Sequence, residues 1–131
     1  GEDAGTSADD AEAIRAMVNA ARAAEGLAAL ARDAALDELA AEHAKRMLDT
    51  KTVGHDVGDG DPHERVLAAG LAPRATGENV ATASNLPRAH RALWASPSHR
   101  GNILEKRFTN IGVGVVRATD GRVWVTELFT G

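Results

Sequence analysis

The sequence predicts an α+β fold, a three-layer α-β-α sandwich in which helices cover both faces of a small antiparallel sheet. The last third of the chain has two strand-like segments, 110–118 and 122–130, on either side of Asp120-Gly121, a dipeptide typical of hairpin turns. Apolar residues lie on both faces of this hairpin. Such a sheet must be covered on both sides, and the earlier segments have helical periodicity, so we expect a helical layer on each side.

Helix-terminal residues and apolar spacing predict the elements that precede the hairpin. Aspartate or serine before a periodic segment is typical of a helix N-cap, and proline of the first helical position. Glycine is typical of the residue after the last turn. The sequence predicts a helix from Asp9 or Asp10 to Ala24, a helix from Asp33, a loop over 51–60, a short helix from Asp61-Pro62 to Gly70, a strand over 78–83, a helix over 86–95 and a helical turn from Ser96-Pro97.

A two-residue turn fixes the register of the predicted hairpin by pairing Thr119 with Arg122. In that register Glu127 lies opposite Gly114, so its carboxylate has space in front of it. Glu127 is therefore a candidate pocket wall, although an exposed edge position explains the same pattern. One face then carries Val113, Val115, Trp124 and Leu128, the other Val116, Ala118, Val123, Val125 and Phe129, with Phe129 opposite Gly112.

Length and composition indicate one globular domain. We expect it to span residues 9–131, with residues 1–8 as a disordered N-terminal remnant. A net charge of -4 without a basic cluster argues against nucleic acid as a partner, and no apolar segment is long enough to cross a bilayer. The absence of cysteine excludes disulfides and thiolate metal sites. The acidic start without methionine suits a cleaved secretory signal, although a cloning boundary explains it as well.

Two histidines and a carboxylate are the candidate functional residues: His55 in the predicted loop, Glu78 in the predicted strand and His99 in the last helical turn. Imidazoles beside a carboxylate can hold a metal ion or move a proton. A structural alternative stays open, in which Glu78 accepts backbone N–H bonds and His55 only hydrogen-bonds to that carboxylate. His43 lies in the apolar stripe of the second helix, so we expect it to be a hydrogen-bonded core histidine.

A series of short motifs follows one known pattern along nearly the whole chain. GH at 54–55, GENV at 77–80, WASPSHRGNIL at 94–104, FTNIGVGV at 108–115 and WVTELF at 124–129 occur in the expected order. In these motifs the chain resembles the CAP superfamily, named for cysteine-rich secretory proteins, antigen 5 and plant pathogenesis-related proteins. It is most similar to the cysteine-free bacterial branch of SCP-like extracellular proteins.

The resemblance implies an α-β-α sandwich, a secreted protein, and a cleft with two histidines and two acidic residues. By their motifs, the histidines look like His55 and His99, and one acid looks like Glu78. Eukaryotic members place the second acid three residues after the tryptophan, where this chain has Pro97. Glu127 stands where the bacterial pattern more often has glutamine, and it is a candidate replacement acid.

Two functions follow from this site. The first is a monomeric, secreted binding module whose polar cleft holds a lipid, a small ligand or a cell-envelope component, since some branches of the family are linked to sterol and lipid binding. The alternative is a metal-dependent extracellular hydrolase acting on a peptide or envelope polymer. His55 and His99 would then bind Zn²⁺ or another divalent metal, with Glu78 as third ligand or hydrogen-bond partner. Because the chain has no H-E-x-x-H helix, we expect binding rather than catalysis.

Overall fold

The structure, a computed structural model, describes residues 6–131, which form five helices and a four-stranded sheet. Apolar spacing and capping residues account for most of the element boundaries. The elements are α1 (Ala8–Ala24), β1 (Ala31–Arg32), α2 (Ala34–Thr50), α3 (Pro62–Ala68), β2 (Thr76–Ala83), α4 (Leu86–Ala95), α5 (Pro97–Ile103), β3 (Asn110–Arg117) and β4 (Val123–Thr130).

The sheet lies between two helical layers. Its strands are ordered β1-β3-β4-β2. β4 pairs antiparallel with both β3 and β2, whereas the two-residue β1 pairs parallel with the start of β3. Helices α1, α4 and α5 cover one face, and α2 and α3 cover the other. The predicted three-layer α-β-α sandwich is therefore confirmed, and β2 is an edge strand of the described sheet.

The sheet separates apolar cores on its two faces. Side chains along each strand alternate between the faces, so both faces are apolar, as the sequence predicts. On the α1 side, Phe129 stacks on Phe108 with ring centroids 5.4 Å apart. This face carries Ile111, Val113, Val115, Val123, Val125 and Phe129, and the α2 side carries Val116, Trp124 and Leu128.

The turn between β3 and β4 has three residues, so the predicted register is wrong by one residue. The N–H of Ala118 donates to the carbonyl oxygen of Arg122 at 2.9 Å, and Gly121, with φ of +90°, takes the last turn position. A left-handed glycine at the end of a three-residue turn is a common alternative to the two-residue turn. The predicted division of β-strand residues between the faces is wrong for the same reason. Glu127 lies opposite Val113 and Phe129 opposite Ile111, instead of Gly114 and Gly112.

The two glycines of β3 lie where α2 packs directly against the sheet. A Cβ added at Gly112 would lie 2.1 Å from the backbone carbonyl carbon of Leu36, and one at Gly114 would lie 2.3 Å from that of Ala40. Only glycine permits such a close approach of two backbones. The space expected beside Gly114 is therefore filled by α2.

Helix α1 begins earlier than predicted. Its N-cap is Ser7, whose hydroxyl accepts the N–H of Asp10 at 3.2 Å, so the predicted aspartate cap is wrong. Ser7 already satisfies one of the first free N–H groups of the helix. Because Thr6 forms a β-bridge with β3, the folded domain starts before residue 9. The rest of the predicted N-terminal remnant, residues 1–5, lies outside the described part of the chain.

The later helices begin as predicted. Asp33 caps α2, and Asp61 caps α3 in a capping box with Glu64. Pro97 begins α5, but the Ser96 side chain makes no capping bond. Within residues 6–131, no helix has both the length and the hydropathy to cross a membrane.

Candidate functional site

Glu78 is the centre of the candidate site. It lies in the edge strand β2, on the face covered by α2 and α3, and its side chain is fully buried. Both carboxylate oxygens accept from Nη2 of Arg65, at 2.8 and 3.0 Å, and Oε1 also accepts from Nδ1 of His55 at 2.9 Å. A buried carboxylate needs charge-assisted bonds of this kind to replace its lost hydration.

Arg65 joins the 51–60 loop to the edge of the sheet. It lies in the buried part of α3, one residue after the capping box. Besides binding Glu78, it donates from Nε to the carbonyl oxygen of Gly60 at 3.0 Å and from Nη2 to that of His55 at 2.8 Å. One guanidinium group thus holds both the backbone of His55 and the carboxylate that binds its side chain.

A second histidine–carboxylate pair lies beside Glu78. His43 is fully buried in α2, with Nδ1 2.6 Å from Oδ2 of Asp59 and Nε2 2.8 Å from the carbonyl oxygen of Gly54. Each ring nitrogen therefore lies within hydrogen-bond distance of an oxygen acceptor. The predicted hydrogen-bonded core histidine is confirmed. Its Nε2 also lies 3.8 Å from Oε1 of Glu78.

Carboxylates alternate with nitrogen-bearing side chains along this part of the site. Burial acts to raise the pKa of Asp59, but the hydrogen bond and charge of His43, together with the charge of Arg65 and a backbone N–H, hold that pKa below its usual value. Asp59, His43, Glu78 and Arg65 form a sequence of carboxylate, imidazole, carboxylate and guanidinium, each within 4 Å of the next. We call these four residues the charge network.

His55 contacts the charge network at Glu78 and is open to solvent. Its side chain is 52% exposed, whereas the Glu78 carboxylate that it contacts is not exposed at all. Because a carboxylate accepts hydrogen bonds, Nδ1 of His55 carries a proton, and in the neutral imidazole Nε2 has a lone pair that takes no part in this bond. Glu78 thus fixes the tautomer and orientation of an imidazole that is open to solvent.

His99 lies on α5, which packs on the other face of the sheet at the same edge. Burial lowers the pKa of His99, and the charge of nearby His55 lowers it further, so its imidazole is neutral at pH 7. The structure thus places the three sequence-predicted residues, His55, Glu78 and His99, along the β2 edge.

Asn79, the residue after Glu78, faces the opposite side of the sheet and holds the backbone of α5. Its Nδ2 donates to the carbonyl oxygen of His99 and to Oε1 of Glu127, both at 3.0 Å. Its Oδ1 accepts from Nδ2 of Asn102 at 2.9 Å. Consecutive residues of one strand therefore position the two histidines, one from each face of the sheet.

Glu127 does not line the candidate site. It is fully buried on the face covered by α1, α4 and α5, and within the described chain no hydrogen bond links it to an imidazole. Burial raises its pKa to about 7, although the hydrogen bond from Asn79 acts to lower it. The predicted pocket wall and the exposed edge position are both wrong, because β4 is an inner strand and Glu127 lies opposite Val113. Glu127 therefore does not replace the second acid of the cleft.

Arg65 and Asp59 are members of the site that the sequence did not predict, and His43 is an unpredicted neighbour of Glu78. Arg65 gives a detectable signal, since it precedes the buried Val66 in a helix of seven residues. An arginine on the buried side of so short a helix needs an anionic partner. Asp59 gives no comparable signal, because it lies in an irregular loop.

The charge network also borders a groove between α2 and α3. This groove has a volume of about 780 Å³, and its lining includes His43, Asp59 and Arg65 beside the apolar Leu39. His55 is not part of the lining. The network therefore has a second approach from solvent, separate from the β2 edge.

A metal site is not completed by the described side chains. Within residues 6–131, no group of three or more His, Cys, Asp or Glu side chains is arranged to hold a metal ion. The oxygens of Glu78 already bind Arg65 and His55, so this carboxylate is not available as the third ligand. The assignment of His55 and His99 as metal ligands stays a prediction.

Comparison with sequence families gives a match over most of the chain. The profile of the cysteine-rich secretory protein family, CAP, matches residues 15–129. The chain belongs to the CAP family. An uncharacterized Bacillus subtilis (strain 168) protein, YkwD, is 33% identical to this CAP domain over 117 residues. The alignment covers 88% of this chain and 44% of YkwD, so the chain spans less than half the length of that curated relative.

Two solved bacterial structures share the fold of this CAP domain. An outer surface protein from Borrelia burgdorferi superposes with a TM-score of 0.87 over 94% of this chain and 92% of its own, at 24% identity. An extracellular protein containing a SCP domain, from Bacillus anthracis str. Ames, has a TM-score of 0.84 and 28% identity. That match covers 93% of this chain and 40% of the Bacillus protein. This CAP domain is therefore of the bacterial type.

Proposed function

We propose that this CAP domain binds a polar ligand outside the cell, at the β2 edge between His55 and His99. The observation that carries the proposal is the hydrogen bond between the exposed His55 and the buried Glu78. This bond fixes an imidazole at the surface, and the Nε2 of that imidazole has no hydrogen-bond partner among residues 6–131. Because this acceptor is ordered before a ligand arrives, less conformational entropy is lost on binding.

The chemistry of the two imidazoles indicates the class of ligand. In its neutral form His55 accepts a hydrogen bond at Nε2, and the neutral ring of His99 has one donor and one acceptor nitrogen. Hydroxyl and amide groups satisfy both residues. Envelope glycans, their peptide substituents and polar lipid head groups carry such groups, and we propose a ligand from this class.

A location outside the cell is supported by what the related structures are called, an outer surface protein and an extracellular protein. Immunodetection of the whole native protein in culture medium, envelope and cytoplasm of its source cells tests this. We expect the protein in the medium or the envelope. Recovery from the cytoplasm alone would contradict the proposed location.

Ligand binding is tested by NMR titration of the ¹⁵N-labelled domain with soluble envelope glycopeptides and with short-chain phospholipids. We expect shifts centred on His55 and His99 with at least one of these ligands, and their loss in His55→Ala. His63→Ala is the matched control, because His63 is also exposed and its ring contacts Thr76 of β2 rather than Glu78. Equal binding by both variants would contradict the role of His55.

A divalent metal is a second candidate ligand, favoured by the bond from His55 Nδ1 to Glu78. Metal-binding histidines commonly donate their second ring N–H to a carboxylate in this way. Calorimetric titration of the metal-stripped domain with zinc should then show one site near pH 7, absent in the His55→Ala/His99→Ala double variant. No heat of binding in the wild type would exclude zinc as the ligand.

The hydrolase alternative stays a prediction from the sequence. The hydroxyl oxygens of Ser96 and Ser98 are 3.4 Å apart, and within the described chain neither forms a hydrogen bond with an imidazole. Both serines therefore lack the activating base that a nucleophile requires. Stoichiometric zinc binding would be the reason to screen for hydrolysis.

A further inference from the structure

Three polar side chains join the sheet to α5, the helix that carries His99. We call Asn79, Asn102 and Glu127 the clamp. Asn79 binds the His99 backbone and Oε1 of Glu127, and Asn102 binds Oδ1 of Asn79 and the carbonyl oxygen of Glu78. Asn79 and Glu127 are directly paired in the β2–β4 register. The clamp is thus a continuous set of hydrogen bonds from an inner strand to His99.

Helix α5 has few other attachments to the sheet. Ile103 is its one buried residue, and the Ser96 side chain does not cap its start. Arg22 of α1 holds its end by donating to the carbonyl oxygen of Ile103 at 2.9 Å. Arg100 bonds to the carbonyl oxygen of Trp94 in α4 rather than to a strand. Among residues 6–131, the clamp supplies the hydrogen bonds that join α5 directly to β2.

Glu127 is the ionisable member of the clamp, and its environment disfavours the charged form. The side chain is fully buried, and Oε2 has no hydrogen-bond partner among residues 6–131. Desolvation raises its pKa to about 7. The carboxyl group is thus neutral in mildly acidic solution and ionises near physiological pH.

No charged neighbour offsets an ionised Glu127. On the helices packed on this face, Asp9, Glu12, Arg88 and Arg91 are exposed and Asp10 binds Arg117, which leaves as buried or half-buried groups Arg15 and Arg22 on α1, His90 on α4, and His99 and Arg100 on α5. None of these five side chains forms a hydrogen bond or ion pair with Glu127 in the described chain. On β2, the adjacent Glu78 points to the opposite face. Ionisation strengthens the bond from Asn79 to Oε1 but leaves the negative charge without a cationic partner and Oε2 without a donor among residues 6–131, so water must enter at the clamp to solvate it.

We propose that Glu127 is a positioning residue of the β2-edge site, and that loss of its proton admits water to the clamp, rearranges it and displaces α5 with His99. The consequence for ligand binding rests on the function proposed above, and affinity should then fall as Glu127 ionises. The displacement itself requires no ligand. It follows from the burial of one carboxyl group and from the bonds that link it through Asn79 to the His99 backbone.

The test is an NMR pH titration of the ligand-free domain, following the Glu127 side-chain carboxyl carbon and the His99 ring signals. We expect both to show an inflection near pH 7, on the alkaline side of the imidazole's own titration. Glu127→Gln should abolish that inflection at His99. Glu38→Gln, which changes an exposed carboxylate of α2, should leave it intact. An unchanged His99 curve in Glu127→Gln would overturn the proposal.

A second variant covers the case in which Glu127→Gln does not fold. Asn79→Ala removes the side chain that joins Glu127 to the His99 backbone and leaves Glu127 in its buried position. The inflection should then persist at Glu127 and weaken at His99, and equal coupling in this variant would overturn the proposal. If the His99 signals change with the titration of Glu127 but no ligand binds, only the proposed function is contradicted. If a ligand binds but the His99 signals do not change with the titration of Glu127, only the positioning role of Glu127 is contradicted.

Discussion

At the scale of single residues, Arg65 holds the site together, because it binds both the Glu78 carboxylate and the backbone of His55. Replacing it with alanine leaves Glu78 buried without its main cationic partner and releases the backbone of His55. We expect Arg65→Ala to lower the free energy of unfolding by about 3–5 kcal/mol, the usual effect of breaking a buried ion pair. Urea unfolding at pH 7 measures this. Arg74→Ala, at an exposed arginine, should change stability by less than about 0.5 kcal/mol.

A small effect of Arg65→Ala would carry information as well. A loss below about 1 kcal/mol would mean that Glu78 takes up a proton or that water enters to replace the guanidinium group. The site would then lack the buried charge that orients His55, and the proposed binding role would lose its structural basis.

Glu127 makes stability depend on pH in a direction opposite to that of a salt-bridged carboxylate. Its pKa is raised from 4.5 to about 7 in the folded state, so between these values the folded chain retains a proton that the unfolded chain has lost. Its contribution is fully present below about pH 4.5 and is lost as the pH rises to about 7, by about 3 kcal/mol in total. Glu127→Gln should lack this decline.

Urea unfolding at a series of pH values compares the two proteins. The stability of the variant relative to the wild type should increase through the window from about pH 4.5 to 7 and level off above it. Parallel curves across this window would show that Glu127 titrates in the folded protein as it does in the unfolded chain.

The residues predicted from the sequence are those whose motifs are local. His55, Glu78 and His99 each belong to a short motif of the CAP pattern, and the structure places them along one edge. Arg65 and Asp59 owe their roles to bonds with residues 13 and 16 positions away. Contacts between separate elements leave no spacing rule in the sequence, so the charge network could not be assigned before the fold was known.

At the scale of elements, the hairpin shows how one assumption about a turn alters a whole prediction. Asp120-Gly121 is compatible with both a two-residue and a three-residue turn, because each places a glycine at positive φ. The strands and their apolar character were predicted correctly, whereas the pairing was not. When the pairing of two strands shifts by one residue, every side chain of one strand moves to the opposite face of the sheet relative to the other strand. For this reason Glu127 was assigned to the wrong face relative to β3.

The contact between α2 and β3 leads to a prediction about glycine. Gly114→Ala puts a methyl group where the backbone of Ala40 lies, so helix and strand must separate. We expect destabilisation of about 3 kcal/mol, at the upper end for overpacking. Gly101→Ala is the control, because Gly101 lies in α5 with nothing within 4 Å, and alanine should raise helix stability by about 0.5–1 kcal/mol. Thermal unfolding distinguishes the opposite signs.

At the scale of the whole molecule, one sheet carries an apolar core on each face. Neither helical layer can unfold alone without exposing the apolar sheet face that it covers. Trp94 packs with the α1 side and Trp124 with the α2 side. Fluorescence of Trp94→Phe and Trp124→Phe therefore reports on one side each. We expect each variant to unfold at the same denaturant concentration by fluorescence as by circular dichroism, as for a two-state domain. Separate midpoints would indicate that the layers unfold independently.

Because Glu78 and Asn79 are adjacent in β2, this domain cannot readily accept insertions or deletions that shift the register of that strand, either in evolution or in the laboratory. An insertion or deletion that slid the strand by one position would turn the asparagine toward Arg65 and the carboxylate toward α5, damaging the supports of both histidines in one step. New ligand specificity is therefore more accessible through changes in the length of the 51–60 loop. A designed library should vary that loop and hold the length of the chain from Gly70 to Ala83 constant.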